Sequence, residues 1–226
     1  MKKYAVIVAG GAGTRMGSAV PKQFILLGGK PVLWYPVNTF LSADMDMQVI
    51  LVLPEAHMEA GRALAEGFGA MGRIRLVGGG QTRFHSVARG LALIDEEAVV
   101  AVHDGVRCLV STDLIRRCFE QAARMGSAIP VVDSRDSVRL VTEAGSEAVD
   151  RSRVRLVQTP QTFLGNILLP AYRAAYRDAY TDEASVVEAA GHTVHLIDGD
   201  PNNIKITLPG DLLLAERLLP GGSLSH

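Results

Sequence analysis

Short runs of β-branched and other apolar residues alternate with segments of helical periodicity along this chain of 226 residues. Such alternation is typical of a mostly parallel sheet that helices cover on both faces. The candidate strands are residues 4–9, 49–53, 75–77, 99–102, 127–132 and 193–197. The candidate helices are residues 31–41, 57–68, 82–93 and 112–124. We therefore predict a single α/β domain over residues 1–226.

One stretch, at about residues 133–158, interrupts this alternation. Short polar and apolar residues alternate there around a turn at Gly145-Ser146, which predicts a β-hairpin arm instead of another βα unit. Two roles are open for the arm: it covers a sheet edge, or it packs against a second subunit.

The charge balance excludes some partners. Lys and Arg number 23 against 24 Asp and Glu, so no global positive field favours nucleic acid, and any anion site must be local.

The two cysteines, Cys108 and Cys118, form neither a metal-type pair nor a disulfide framework, which favours a reducing compartment. The N-terminal apolar run stops at Gly10, too early for a signal sequence or a membrane span. We expect a cytoplasmic protein.

A glycine-rich loop, VAGGAGTRMGSAVPKQF, directly follows the first candidate strand. In open parallel sheets ligands bind beyond the carboxyl ends of the strands, where the first βα loop lies. Glycines let the backbone approach an anion, while Arg15 offers a planar fork and Lys22 a point charge. The loop predicts a triphosphate site; the alternative is a glycine-rich turn with solvated charges.

Two familiar phosphate loops do not fit this segment. Met16 stands where a dinucleotide fingerprint needs its third glycine, and the only Gly-Lys pair precedes Pro31 instead of Ser or Thr. The order G-x-G-T-R-M-G followed by P-K resembles instead the nucleotidyltransferases that couple sugar phosphates to nucleotides.

Five further segments carry candidate site residues. In GGGQTRFHSV, the Gly79 and Gly80 amides with the Ser86 hydroxyl suit the edge of a small pyrimidine. The alternative there is a tight turn with Thr82 as helix N-cap. In VHDGVR, Asp104 ends a strand that should be central and is a natural Mg²⁺ ligand beside phosphates.

Arg107, three residues further on, is expected to face the phosphate of a second substrate. His103 is expected to pack or hydrogen-bond, and Cys108 to be structural. Hydroxyls and a lysine in TPQTF, TDEAS and NIKIT suit a phosphomonoester and its polyol. Thr181, in the second of these, is equally suited to cap a helix.

Together, and in this order, these motifs resemble the 2-C-methyl-D-erythritol 4-phosphate cytidylyltransferase family from residue 4 to about residue 219. The resemblance implies a Rossmann-like, mostly parallel sheet of the nucleotide-diphospho-sugar transferase type with a hairpin arm. It implies transfer of a cytidylyl group from CTP to 2-C-methyl-D-erythritol 4-phosphate in the non-mevalonate isoprenoid pathway, with release of pyrophosphate. Mg²⁺ as cofactor and a homodimer joined through the arm are implied as well, with neither nucleic acid nor membrane as a partner.

The resemblance also implies roles for residues at matching positions. The implied catalytic residues are Arg15, Lys22 and Lys205. The implied nucleotide-binding residues are Ala9, Gly10, Gly11, Gly80, Ser86 and the Mg²⁺-associated Asp104. The implied acceptor-binding residues are Arg107, Ser137, Arg151, Thr159, Thr181 and Lys205, with Arg151 reaching the partner subunit's site.

Two departures from the family pattern are visible. The family more often reads H-D-A-A-R-P where this chain has Gly105, Val106 and Cys108, and Ser137 stands where threonine is common. Neither change removes a charge, so we expect tuned affinity. The open alternatives are a cytidylyltransferase for ribitol 5-phosphate or another polyol phosphate, a sugar nucleotidyltransferase that uses UTP or GTP, and a non-catalytic nucleotide sensor.

Overall fold

The computed structural model describes residues 1–10, 20–95 and 97–219. The strands are β1 (Lys2–Val8), β2 (Leu26–Leu27), β3 (Lys30–Pro31), β4 (Gln48–Leu53), β5 (Ile74–Gly78), β6 (Ala98–Asp104), β7 (Ser127–Asp133), β8 (Val138–Thr142), β9 (Gly145–Val149), β10 (Arg155–Val157), β11 (Gln161–Leu164) and β12 (Leu196–Asp198). The helices are α1 (Trp34–Ala43), α2 (Met58–Glu66), α3 (Arg83–Leu91), α4 (Thr112–Met125), α5 (Gly165–Ala171), α6 (Glu183–Ala189) and α7 (Pro209–Leu218).

The central sheet has the order β10-β7-β11-β6-β1-β4-β5, and β12 also pairs with β7. Strands β6, β1, β4 and β5 run parallel, which confirms the predicted α/β class. The antiparallel strand β11 lies between β6 and β7, at a segment the sequence suggested only as a site motif. The sheet is therefore mixed beyond β6 and parallel on the side that carries the glycine-rich loops.

Helices cover both faces of the sheet. Successive residues of a strand point to opposite faces, so each strand contributes apolar side chains to both cores. In β1, Ala5 and Ile7 belong to the core that includes α1 and α4 residues, whereas Tyr4 and Val6 belong to the core that includes α3 and α5 residues. A strand that is buried on both faces reads as a continuous apolar run, as this one does.

A smaller cluster fixes the C-terminal part of the chain against the sheet. Leu27, Val106, Ile206 and Ala215 are buried together, and the Ile206 amide donates to the Val106 carbonyl at 3.0 Å. The residues beside Ile206 are thereby held next to the loop that follows β6.

The predicted arm is a β-hairpin. Strands β8 and β9 pair antiparallel from Val138 opposite Val149 to Thr142 opposite Gly145, as a two-stranded sheet separate from the central one. Strand β10 then returns alongside β7. The arm exposes apolar side chains, since Leu140 is 53% and Val141 89% accessible.

Candidate active site

The carboxyl ends of the parallel strands bring the glycine-rich segments to one edge of the sheet. Val8 is in register with Asp104, and Leu53 is in register with Gly78. A cavity of about 450 Å³ opens at this edge. Its lining includes seven residues predicted from the sequence: Ala9, Gly10, Lys22, Gly80, Ser86, Asp104 and Lys205.

Asp104 forms ion pairs with three positively charged side chains at this cavity. Its Oδ1 lies 3.3 Å from Arg83 Nε, and its Oδ2 lies 2.8 Å from Lys205 Nζ and 3.9 Å from Arg107 Nε. Burial raises the pKa of this carboxyl, but Arg83, Lys205 and Arg107 together lower it further, so the net pKa lies well below its usual value. Asp104 is therefore ionised at neutral pH.

A second carboxylate lies behind Arg83. Glu183, at the start of α6, is fully buried and accepts from both terminal nitrogens of the Arg83 guanidinium, with Nη2 to Oε2 at 3.0 Å. The Tyr172 hydroxyl donates to Glu183 Oε1 at 3.1 Å. Burial lowers the Arg83 pKa, but Glu183 and then Asp104 raise it by more, so this guanidinium is charged.

Lys22 contacts the segment near the C-terminus that carries Lys205. Lys22 Nζ donates to the Ile206 carbonyl at 3.1 Å, and Lys205 precedes Ile206 in the chain. Gln23 is buried and its Nε2 donates to the Ala9 carbonyl at 2.9 Å. These contacts join the residues before and after the first loop to the NIKIT segment.

His103 has a structural role, as predicted. Its Nε2 lies 3.1 Å from the Arg107 carbonyl, which can only accept, so Nε2 carries the proton. Its Nδ1 then accepts from the Thr159 hydroxyl at 3.0 Å, while the Thr159 oxygen accepts from the Asp104 amide at 3.0 Å. Burial lowers the pKa of His103 to about 4, so the ring is neutral at pH 7.

The two amides predicted to read the base, those of Gly79 and Gly80, are both hydrogen-bonded within the protein. The Gly79 amide donates to the Leu53 carbonyl at 2.7 Å, and the Gly80 amide donates to Ser86 Oγ at 3.1 Å. Thr82 caps α3, as the alternative interpretation of this segment predicts. Gly80 and Ser86 nevertheless line the cavity, so the loop forms one of its walls.

Of the predicted acceptor-binding residues, only Lys205 lines this cavity. Arg107 and Thr159 lie behind the wall: Arg107 Nη1 donates to the Asn203 carbonyl at 2.7 Å, and Thr159 is buried. Ser137, Arg151 and Thr181 are exposed. The cap of α6 is Asp182 and not Thr181, so the capping alternative for Thr181 is wrong.

A second cavity, of about 460 Å³, lies where the arm leaves the sheet, and Ser134, Arg135 and Arg155 are among its lining residues. Arg151 Nη1 donates to the Arg135 carbonyl at 3.2 Å. Of the residues that the resemblance assigns to the acceptor, Lys205 lines the first cavity and none lines the second, although Arg151 contacts Arg135 of its lining.

Comparison with known proteins identifies the family. The model of the 2-C-methyl-D-erythritol 4-phosphate cytidylyltransferase family matches residues 4–220. This chain belongs to that family. It is 49% identical to the 2-C-methyl-D-erythritol 4-phosphate cytidylyltransferase of Bacteroides fragilis, with 97% of this chain and 100% of that protein covered.

Solved structures of the family share the fold. A 4-diphosphocytidyl-2C-methyl-D-erythritol synthase is 30% identical with a TM-score of 0.80, covering 97% of this chain and 99% of that one. The cytidylyltransferase from Thermus thermophilus is 32% identical with a TM-score of 0.73, covering 95% and 97%. The Rossmann-like fold class predicted from the resemblance is therefore confirmed.

Two predicted residues of the family site, Gly11 and Arg15, lie outside the described residues. In the described part of the chain, Asp104 is the only carboxylate that lines the cavity. The same residues contain no group of three or more His, Cys, Asp or Glu side chains that could hold a metal ion. One carboxylate is still compatible with Mg²⁺, which usually takes one or two carboxylates together with phosphate oxygens.

None of the described helices combines the length and apolar character needed to cross a membrane.

Arg83 and Glu183 are site residues to which the sequence analysis assigned no role. Both stand inside segments that it singled out, GGGQTRFHSV and TDEAS. The available signal was a charged residue close to each candidate N-cap, Thr82 and Thr181, but nothing local indicates that two residues 100 positions apart form a pair.

Proposed function

We propose that this chain transfers the cytidylyl group of CTP to 2-C-methyl-D-erythritol 4-phosphate, releasing pyrophosphate and giving 4-diphosphocytidyl-2-C-methyl-D-erythritol. The observation that carries the proposal is the single cavity in which Lys22, Lys205, Asp104 and the Gly80–Ser86 wall meet. The family match over nearly the full chain supports the same reaction.

The proposed reaction needs little covalent chemistry from the protein. An oxygen of the 4-phosphate attacks the α-phosphorus of CTP in line, the P–O bond to the β-phosphate breaks, and pyrophosphate leaves. The nucleophile is already an anion, so no strong general base is required. The difficulty is to bring two highly charged anions together, and catalysis is therefore mainly positioning and charge stabilisation.

Lys22 and Lys205 are placed for this task. Both line the cavity, where Lys22 Nζ donates to the Ile206 carbonyl and Lys205 Nζ pairs with Asp104. We assign Lys22, with Arg15, to the triphosphate and Lys205 to the incoming phosphate. Gly80 and Ser86, which also line the cavity, are assigned to the nucleoside.

We further propose Mg²⁺ as the cofactor, held by Asp104 and by the phosphate oxygens of CTP. When bound, the ion would neutralise charge on the triphosphate. Asp104 is suited to this role since it is ionised, although Lys205 and Arg83 already occupy its oxygens. Measuring turnover with Mg²⁺ and after its removal by a chelator tests the assignment.

Ser137, Arg107, Thr159, Thr181 and Arg151 remain proposals for the acceptor, with Arg151 acting in a partner subunit. A homodimer joined through the arm, at about residues 133–158, would bring arm residues of one chain to the cavity of another. The exposed Leu140 and Val141 support an apolar contact there. Sedimentation of the protein with and without Val141→Glu tests the dimer.

The same proposal places the protein in the cytoplasm. Its two cysteines are free and buried, and burial raises the pKa of Cys108 to about 11 and that of Cys118 to about 12. Unpaired thiols of this kind suit a reducing compartment.

The reaction is tested by incubating the protein with Mg²⁺, each of four nucleoside triphosphates and a panel of polyol phosphates, and measuring pyrophosphate. We expect release with CTP and 2-C-methyl-D-erythritol 4-phosphate. Release with CTP and ribitol 5-phosphate alone would assign the enzyme to another acceptor. No release with any pair would support a nucleotide sensor.

A further inference from the structure

We propose that Glu183 is a positioning residue that acts through Arg83 on Asp104, a role that rests on the proposed function and deepens it. Glu183 is fully buried and is not part of the cavity lining, so it cannot touch a substrate bound there. Its effect on the reaction must therefore pass through Arg83, which lines the cavity.

The geometry fixes the direction in which Arg83 points. Glu183 accepts from Nη1 and Nη2 of the planar guanidinium, and this leaves Nε directed at Asp104 Oδ1, 3.3 Å away. Two parallel hydrogen bonds to one carboxylate fix the plane of an arginine as well as its position. The Asp104 carboxylate is thus held from one side by a group whose orientation Glu183 determines.

The other side of Asp104 faces the proposed reaction. Its Oδ2 lies 2.8 Å from Lys205 Nζ, whose side chain is 44% exposed. Lys205 has freedom of movement that Asp104 restrains. A chain of contacts therefore runs from buried Glu183 through Arg83 and Asp104 to the lysine assigned to the incoming phosphate.

Holding the helices together does not require this ion pair. The Phe84 ring, next to Arg83, stacks on the Tyr172 ring with centroids 4.7 Å apart and on the Tyr180 ring with centroids 5.7 Å apart. These aromatic contacts already pack α3 against the segment that leads to α6. Since buried ion pairs often stabilise no better than apolar residues, the pair is better explained by the placement of Asp104.

The test is Glu183→Gln, which keeps the shape of the side chain and an acceptor for Tyr172 but removes the charge that holds the Arg83 fork. We expect kcat with CTP and 2-C-methyl-D-erythritol 4-phosphate to fall about 10- to 100-fold, the range typical of residues that orient a ligand from behind. KM for CTP should rise as well, because Asp104 is also the proposed Mg²⁺ ligand for CTP and Glu183 acts on it through Arg83.

Tyr172→Phe is the matched control. It removes the other hydrogen bond to Glu183 while leaving both bonds to Arg83, so kcat should stay within about twofold of the unmodified chain. Glu183→Gln is expected to lower the melting temperature in either case, because it removes one partner of a buried ion pair. A purely structural role for Glu183 predicts in addition that kcat per folded enzyme is unchanged. That result would overturn the inference.

A double-mutant cycle with Arg83→Lys provides an independent check. Lysine keeps the charge but has no fork with which to bridge Glu183 and Asp104. If the two residues act as one unit, the double variant loses no more kcat than Arg83→Lys alone. Losses that multiply would contradict the chain of contacts.

If Glu183→Gln melts below the assay temperature, Glu183→Asp replaces it: the charge is kept, but the carboxylate is retracted by one methylene and no longer fixes the Arg83 fork, so kcat should fall as well. An unmodified chain that turns over no substrate pair would overturn the proposed function and this inference with it. Normal kcat in a folded Glu183 variant would overturn the inference alone.

Discussion

His103 makes the stability of this protein depend on pH in a defined window. The ring is fully buried, and burial lowers its pKa to about 4, whereas an unfolded chain has a histidine pKa of about 6.5. Between these values the unfolded chain binds a proton that the folded chain does not. Stability is therefore lost as the pH falls from about 6.5 towards 4.

The size of the effect follows from the two pKa values. Between pH 7 and pH 5 the linkage relation gives a loss of about 2 kcal/mol in the free energy of unfolding from His103 alone. Ordinary carboxylates, with pKa values of about 4 in the unfolded chain, contribute little in this window, since they are ionised in both states.

The assay is urea unfolding at pH 7 and at pH 5, for the unmodified chain and for His103→Gln. We expect the unmodified chain to lose about 2 kcal/mol more between the two pH values than the variant loses, because only it carries the buried imidazole. The other histidines are common to both proteins and cancel in the comparison. Equal losses in the two proteins would refute the assignment of His103 as a buried neutral base.

Two further predictions concern Lys22, which follows the glycine-rich loop, and Gly90 in α3. Lys22→Ala should lower kcat by about 10²–10³ with the fold intact, and a near-normal kcat in a folded variant would remove Lys22 from the catalytic residues. Gly90→Ala should destabilise the fold by about 1–2 kcal/mol in urea unfolding, because the new Cβ would lie 2.7 Å from Val6 Cγ1. Gly210→Ala, where a Cβ meets no atom within 4 Å, should not destabilise and serves as its control.

The parallel part of the fold was predictable from the sequence for a physical reason. Strands such as β1 and β4 are buried on both faces, so they stand out as short apolar runs between helical patterns. Strand β11 was not predicted, because its polar residues Gln161 and Thr162 are buried among strands and helices far away in the sequence. The Gln161 side chain is hydrogen-bonded at the start of α6, where its Nε2 donates to Asp182 and its Oε1 accepts from the Ala184 amide.

The candidate site was predictable where one segment carries the chemistry. Lys22, Gly80, Asp104 and Lys205 stand at strand ends or in loops whose residue types suit phosphates, and the fold brings them to one cavity. The pairing of Arg83 with Glu183 depends on the fold bringing the first residues of α3 and α6 together, which no local pattern specifies. Sequence patterns thus indicate which groups meet the substrate, and the structure adds what orients them.

The central claim is that this cavity joins CTP to 2-C-methyl-D-erythritol 4-phosphate. It is tested most directly by kcat/KM for that acceptor and for ribitol 5-phosphate, measured side by side as pyrophosphate release with CTP and Mg²⁺. The proposed function predicts turnover with 2-C-methyl-D-erythritol 4-phosphate and a much lower kcat/KM with ribitol 5-phosphate. A preference for ribitol 5-phosphate, or no turnover of either, would contradict it.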